Sequence, residues 1–245
     1  MPAYNAENTL TKTYEEIPKD TVDSIILVDD ASTDRTVEIA KQLGIKTIIH
    51  GYNKGYGANQ KTCYLYALKE NADIIIMLHP DYQYDPKLIP QLIKPIEEGV
   101  TDGVLGSRMQ KGIINALRHR MPLYKIIGNK FLTFIENLVF HTSLSEFHTG
   151  FRAYSKKALE AIPFKLNSDG FVFDTQIIAQ LFNWGFKISE VAVSPRYEVN
   201  SSTIGFIEST KYGIRTLQTL IQYLLHQLGI KKHPLFMKNE NGFIR

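Results

Sequence analysis

The sequence predicts an α/β fold: a mostly parallel sheet flanked by helices, with an amphipathic helix near the C-terminus. Three observations predict it. Short apolar runs alternate with helical patterns through the first half of the chain, and each run stops abruptly at a polar cluster. Those clusters, Asp29-Asp30, Asn53 to Gly57, His79 to Asp85 and Gly106-Ser107-Arg108, follow a strand or its next turn, where the carboxyl edges of a parallel sheet gather ligands. One long helical periodicity then occupies residues 205–228.

The elements follow in order. Met1-Pro2-Ala3-Tyr4-Asn5 reads as the loop after a strand, so a first strand is expected upstream of Met1. Ser24-Ile25-Ile26-Leu27-Val28 is a buried strand, β-branched and ending at Asp29-Asp30. Asp34 begins a helix that runs to Leu43 and is closed by Gly44. Ile45 to Ile49 is a strand, Asn59 to Asn71 a helix, Ile74 to Leu78 a strand, Leu88 to Glu98 a helix and Gly103 to Gly106 a strand. Between Gly112 and Ser145, Met121-Pro122 precedes an apolar helix from Tyr124 to Val139, expected to cover the site. Phe186 to Val193 alternates as a half-exposed strand does. In the last helix Ile207, Ile214, Leu217, Ile221, Leu224 and Leu228 lie opposite Glu208, Lys211, Arg215, Gln218 and Gln222. Such a stripe ordinarily packs on the domain beside it. Residues 1–204 thus form one domain, and 205–245 a C-terminal helix and tail.

Composition excludes several classes. With 44% hydrophobic and 22% charged residues over 245 positions, the chain is neither disordered nor of low complexity. Its 28 Lys and Arg against 25 Asp and Glu leave a charge of +3, too little to imply a nucleic-acid binder. The single cysteine, Cys63, has no disulfide partner and points to a reducing compartment. No apolar run spans a bilayer, and Asn5, Glu7 and Asn8 interrupt any signal peptide. The expectation is a cytoplasmic protein, free or peripheral on the cytoplasmic membrane face.

Several constellations carry chemistry. In an extended backbone His79, Asp81 and Gln83 point the same way. A nitrogen, a carboxylate and an amide oxygen make a partial shell for Mn²⁺ or Mg²⁺, completed by phosphates and water. Spacing alone favours a plainer reading, a polar turn closed by Asp85-Pro86. Asp29 and Asp30 at a strand end suit a nucleobase or ribose, and Asn53-Lys54-Gly55-Tyr56-Gly57 sets small residues and a cation before a helix N-terminus, a phosphate neighbourhood. Arg108 and Arg152 are candidate phosphate clamps or ordinary ion-pair partners. His148 reads as a structural histidine.

Together, Pro2-Ala3-Tyr4-Asn5, Val28-Asp29-Asp30-Ala31-Ser32-Thr33-Asp34, Asn53 to Gly57, His79-Pro80-Asp81-Tyr82-Gln83, Gly106-Ser107-Arg108 and Thr149-Gly150-Phe151-Arg152 come in the order seen in family 2 glycosyltransferases. Over residues 2–200 the chain most resembles the dolichyl-phosphate mannose or glucose synthase branch. The resemblance implies a GT-A fold, a GDP- or UDP-hexose donor, a divalent cation and inverting transfer. By position Pro2, Ala3, Tyr4, Val28 and Asp30 would hold base and ribose, with Lys54 and Arg152 also on the donor. Asp81 and Gln83 would bind the metal, His79 standing where the family has a second acidic ligand, and Arg108 would bind the diphosphate. Ala6 replaces the usual acidic residue, with Glu7 one place later. Glu146 stands at the acidic position ahead of the Gly-Phe-Arg motif. Arg120 and Lys125 lie near the branch's second phosphate-gripping arginine, and Arg196 and Lys211 near its late Arg and Lys pair.

Asp81, Arg108 and Glu146 are thereby the catalytic candidates. A polyprenyl or dolichyl phosphate acceptor, the leading expectation, is already anionic and needs no base. A hydroxyl of a soluble or surface glycan needs one, Glu146 or Asp174. A protein that binds nucleotide sugars without turnover is the third reading. A lipid acceptor would place Lys231, Lys232 and His233, after the last helix, against a membrane surface.

Overall fold

A computed structural model of the chain describes residues 1–112, 121–194, 196 and 205–237. Among these the elements run β1 (Pro2–Ala3), α1 (Leu10–Glu15), β2 (Ile26–Asp29), α2 (Thr36–Gln42), β3 (Lys46–Ile49), α3 (Tyr56–Lys69), β4 (Ile74–Met77), α4 (Ile89–Glu97), β5 (Gly103–Ser107), α5 (Leu123–Phe140), β6 (Arg152–Ser155), α6 (Lys156–Ala161), α7 (Phe173–Asn183), β7 (Ile188–Ala192) and α8 (Phe206–Gln227). The α/β class and the flanking helices are as the sequence predicts.

The strands form two sheets. One has the order β1-β2-β3, all parallel, with Pro2 opposite Val28 and Ile26 opposite Lys46. The other has the order β4-β6-β5-β7; β5 and β7 are parallel, and β6 runs antiparallel to both its neighbours. Its register sets Arg152 opposite both Met77 and Leu105. The direction of β6 matters for the site. Because it is reversed, the loop that leads into it arrives at the carboxyl ends of β4 and β5, beside the residues those strands deliver.

Several elements depart from the sequence reading. Pro2–Ala3, read as loop, is strand, paired on β2. β6 carries no prediction, because four residues opening on an arginine show no apolar run; it forms by pairing on both edges. α1, α6 and α7 are likewise unassigned from sequence, although Phe173, Ile177, Ile178 and Leu181 of α7 have helical spacing and all are buried. Local chemistry explains some boundaries. Gly55, at φ 98°, turns the chain into α3, the Asp85 side chain accepts from the Lys87 N–H ahead of α4, and Ser155 caps α6 through the Ala158 N–H.

The larger core holds Tyr64, Phe147, Tyr154, Phe173 and Ile177; a second lies around Leu27, Leu92, Val104 and Phe151. α8 contributes Leu220 and Tyr223 to the larger core, joined by Leu235 and Phe236 beyond it. Leu217 of the predicted stripe packs against that core as well, and Thr216 and Thr219 are buried beside it. The other members of the stripe face outward: Ile207, Ile214, Ile221, Leu224 and Leu228 are exposed, against the ordinary expectation of packing. α5 does the same with Leu123, Ile127, Phe131, Phe134 and Leu138, while Ile126, Leu132 and Phe140 face inward. No helix among the described residues is long and apolar enough to cross a membrane.

Candidate active site

The carboxyl end of β5 delivers Arg108, and the loop before β6 delivers Glu146. The Glu146 carboxylate is fully buried and accepts from the Arg108 backbone N–H at 2.6 Å, from Arg108 Nε at 2.9 Å, from a terminal guanidinium nitrogen of Arg108, and from Asn129 Nδ2 of α5 at 2.8 Å. The same guanidinium donates to the His148 carbonyl. Charge-assisted bonds of this density fix the arginine plane. They engage both carboxylate oxygens, so Glu146 holds Arg108 in place. Lys125 lies close enough to feel Arg108: burial first, then that positive charge, holds its ammonium below the usual lysine range. Arg120, the other cation expected here, lies outside the described residues.

β4 delivers the loop from His79 to Asp85, and its geometry differs from the extended chain assumed above. Asp81 Oδ1 accepts from the Gln83 N–H at 3.0 Å, and Tyr82 has φ 60°, so the backbone turns between the predicted ligands. The loop is clamped from another side. The Tyr82 hydroxyl donates to Glu16 at 2.6 Å, and Arg196 bridges Glu16 at 2.7 Å and Asp85 at 2.9 Å with its guanidinium over the Tyr82 ring. Those contacts commit Arg196 to the loop rather than to a diphosphate. Lys211 pairs with Glu208 on the surface of α8.

Asp81 and His79 keep the chemistry that a cation needs. Burial pushes the Asp81 carboxyl up, offset by the Gln83 N–H and the Arg108 charge. An anion strained in this way gains from a positive charge beside it. Burial pushes His79 down to about 3, so its imidazole is neutral at physiological pH, as a metal ligand must be. Its ring stacks on Tyr56 with centroids 5.4 Å apart, and Nε2 lies 3.4 Å from the Tyr56 hydroxyl. Gly150 allows this: a Cβ there would sit 2.8 Å from the ring. Among the described residues no group of three or more His, Cys, Asp and Glu side chains could hold a metal. Of the three ligands the sequence suggests, Asp81 is the acidic one, His79 is held neutral and Gln83 is an amide.

Behind His79 lies a second buried pair. Arg152 is fully buried; it meets Asp174 at 3.2 Å and donates to the carbonyls of Thr149, Phe147 and Asp174. Asp174 also accepts from the Tyr56 hydroxyl at 2.8 Å and Gln60 Nε2 at 3.0 Å. Arg152, unlike Arg108, is buried along its whole length, so it braces the loop from behind, and Asp174 is held by the Arg152, Tyr56 and Gln60 side chains. His148 is structural too: its imidazole spans Glu136 of α5 at 2.9 Å and Tyr212 of α8 at 2.7 Å.

The glycines before α3 serve packing. The N–H groups of Gly57 and Ala58 donate to the Asp169 carbonyl at 2.7 and 3.3 Å, which removes them from phosphate binding. A Cβ on Gly57 would meet the Ser168 carbonyl oxygen at 2.3 Å. Lys54 is exposed, its ammonium 5.8 Å from the Tyr52 ring. Asp30 holds this same loop, accepting from the N–H groups of Lys54 and Gly55, both at 2.9 Å, while His50 Nδ1 lies 2.7 Å from Oδ1. Pro2, Ala3 and Val28 are buried beside it and Tyr4 is half-exposed. Asn129, His50 and Tyr84, whose hydroxyl accepts from the Gly150 N–H, were not legible in any motif. Each reaches its partner across a long stretch of chain, with no spacing signal to announce it.

Comparison with known proteins gives three findings. The model of the family described as Glycosyl transferase family 2 matches residues 1–162. An uncharacterized protein of Methanocaldococcus jannaschii, MJ1222, is 34% identical over 84% of this chain and 83% of its own, and the UDP-N-acetylglucosamine–dolichyl-phosphate N-acetylglucosaminyltransferase of Methanococcus voltae is 29% identical over 84% and 87%. Glucosyl-3-phosphoglycerate synthase from Mycobacterium tuberculosis shares the fold: its complex with phosphoglyceric acid aligns at TM-score 0.67 with 19% identity, covering 97% of this chain and 84% of that one. Its complex with Mn²⁺, uridine diphosphate and glucosyl-3-phosphoglycerate aligns at 0.63 with 19% identity, covering 94% and 79%.

Proposed function

The chain belongs to glycosyl transferase family 2, and on that premise we propose that it moves a hexose from a UDP-sugar to an acceptor bearing a phosphate group. The observation that carries the reading is Arg108 at the end of β5, held by buried Glu146 and Asn129, whose charge reaches both Asp81 beyond β4 and Lys125 of α5. A departing nucleoside diphosphate gains negative charge, and fixed cations beside it stabilise that charge without reorganising. The buried grip of Glu146 and Asn129 is what fixes Arg108. Asp81, with neutral His79 and Gln83, would hold Mn²⁺ or Mg²⁺, and the solved synthase binds Mn²⁺ with its uridine diphosphate. Such a cation neutralises the diphosphate as the bond to the sugar breaks.

A phosphate on the acceptor supplies what the tied carboxylates do not. Its oxygen is anionic at neutral pH, either as the attacking atom or as proton acceptor for a neighbouring hydroxyl. The solved synthase, with phosphoglyceric acid, supports a small soluble acceptor of this kind. A lipid-linked phosphate is the second reading. It is favoured by the outward apolar stripes of α5 and α8, and one relative is named for dolichyl phosphate.

The test is transfer of labelled sugar from UDP-glucose and UDP-N-acetylglucosamine with Mn²⁺, offered phosphoglyceric acid or a polyprenyl phosphate in detergent. Label that enters organic solvent marks the lipid acceptor; label retained in water on the acid marks the soluble one. Chelation should abolish either. Transfer to neither acceptor refutes the proposal.

A further inference from the structure

α5 carries polar groups where a helix is ordinarily apolar. Ile127, Phe131 and Phe134 are exposed, while Asn129, Thr133 and Glu136, at spacings of four and three, make a buried polar row on its inner face. Polar groups inside a fold are costly unless each has a partner, so the partners show what the row serves. Asn129 Nδ2 donates to Glu146 at 2.8 Å, and Thr133 Oγ1 donates to Asn129 Oδ1 at 3.3 Å. Glu136 is fully buried with His148 Nε2 2.9 Å from its Oε2, and neither Glu136 oxygen takes a hydrogen bond from any other described residue.

The second ring nitrogen of His148 is held as closely. Nδ1 lies 2.7 Å from the Tyr212 hydroxyl of α8. Burial, with the Glu136 charge behind it, pushes the Tyr212 phenol up, so the hydroxyl keeps its proton and can donate to Nδ1, which leaves Nε2–H to face Glu136. Tyr212 also lies 3.3 Å from the Thr175 hydroxyl of α7, so three helices surround the ring. The backbone of the same residue points at the site, where the His148 carbonyl accepts from the Arg108 guanidinium. α5 thus reaches Arg108 by two routes: through Asn129 and Glu146 and, two turns further on, through Glu136 and His148.

We propose that Glu136 and His148 are positioning residues for Arg108: α5 and α8 fix the His148 ring, and with it the carbonyl that orients the guanidinium. The inference rests on the reading of Arg108 as the cation that meets the departing diphosphate. Glu146 grips one edge of the guanidinium, and the His148 carbonyl stops it rocking about that edge. A donor group fixed in advance stabilises developing charge without rearranging.

The experiment reads Arg108 directly, as hydrogen exchange of its Nε–H followed by NMR in the ligand-free 245-residue chain. With Tyr212 donating to Nδ1 the ring carries one proton, so Glu136→Leu removes the anchor and strands no charge, a change that folds tolerate. It should speed the Arg108 exchange about tenfold with Tm unchanged or raised. Glu136→Gln, which keeps an oxygen for the ring N–H, should stay near the parent rate. Unchanged exchange in Glu136→Leu overturns the proposal. So does acceleration matched by a lower Tm and by faster exchange of the β5 backbone amides, the mark of general loosening. Binding of uridine diphosphate with Mn²⁺ is the second readout. Glu136→Leu should weaken it about tenfold in the parent chain and not at all beside Arg108→Lys, where the route is already cut; additive losses overturn the proposal. A parent chain that binds no uridine diphosphate refutes the donor reading instead, and the exchange of Arg108 then decides this one.

Discussion

At the scale of single residues, the site is built from charges that hold one another. Glu146 is buried against Arg108, and removing one partner of such a pair leaves the other charge unpaired in a dry interior. Glu146→Ala should therefore destabilise the fold by about 3–5 kcal/mol in denaturant melts, with turnover falling as well. Loss of turnover at unchanged stability would restore Glu146 as a base. Asp81→Asn should abolish metal-dependent transfer while leaving the melting curve in place, and a variant that keeps its Mn²⁺ dependence would remove Asp81 from the cation. His79 makes a pH prediction. Its folded pKa of about 3 lies below the ordinary 6.5, so between those values the unfolded chain binds the extra proton. Stability is then greatest above 6.5 and is lost as pH falls through this window. His79→Gln should flatten that acid slope; an unchanged slope would show that the imidazole protonates as freely in the fold as outside it.

At the scale of elements, the strands carry residues to one edge and the loops between them are locked from behind. The antiparallel β6 brings Glu146 to Arg152 beside β4 and β5, and Arg152 with Asp174 ties that loop to α7. The turn into α3 is equally constrained. Gly57→Ala sets a Cβ against backbone of residues 168–170 that has no rotamer to escape by, and should cost about 1–3 kcal/mol. Thermal melts of that variant decide between a packing glycine and one kept for phosphate, since the latter would lose donor affinity at unchanged Tm.

At the scale of the whole molecule, α5 and α8 present two rows of large apolar side chains to the outside, with Lys130, Arg215, Lys231 and Lys232 on the same helices and their tail. Monomeric soluble proteins seldom leave such a surface bare. Under the lipid-acceptor reading, the chain should float with anionic vesicles at low salt. Phe131→Glu, Phe134→Glu and Ile221→Glu together should prevent flotation without loss of the fold, because these positions contribute little to packing. Flotation that survives the triple change would separate these stripes from any membrane, and the soluble-acceptor reading would gain.

The sequence by itself determined the alternation of strand and helix, the polar clusters at the strand ends and the order of the motifs, because each is written within a few neighbouring residues or in one periodicity. The tertiary structure decided the rest. That Asp30 meets His50, that Glu146 meets Arg108 and Asn129, and that Arg152 is buried on Asp174 are pairings across distant chain, and the same carboxylate reads alike whether it is free or held. β6 has no apolar run and exists only through its two neighbours. The stripe on α8 shows the limit most plainly. Its period of Ile and Leu marks one face of a helix, yet only packing shows that Thr216, Thr219, Leu220 and Tyr223 turn inward and that all of the marked face but Leu217 turns out. Periodicity records which residues share a face, and which face is covered depends on what the rest of the chain places beside it.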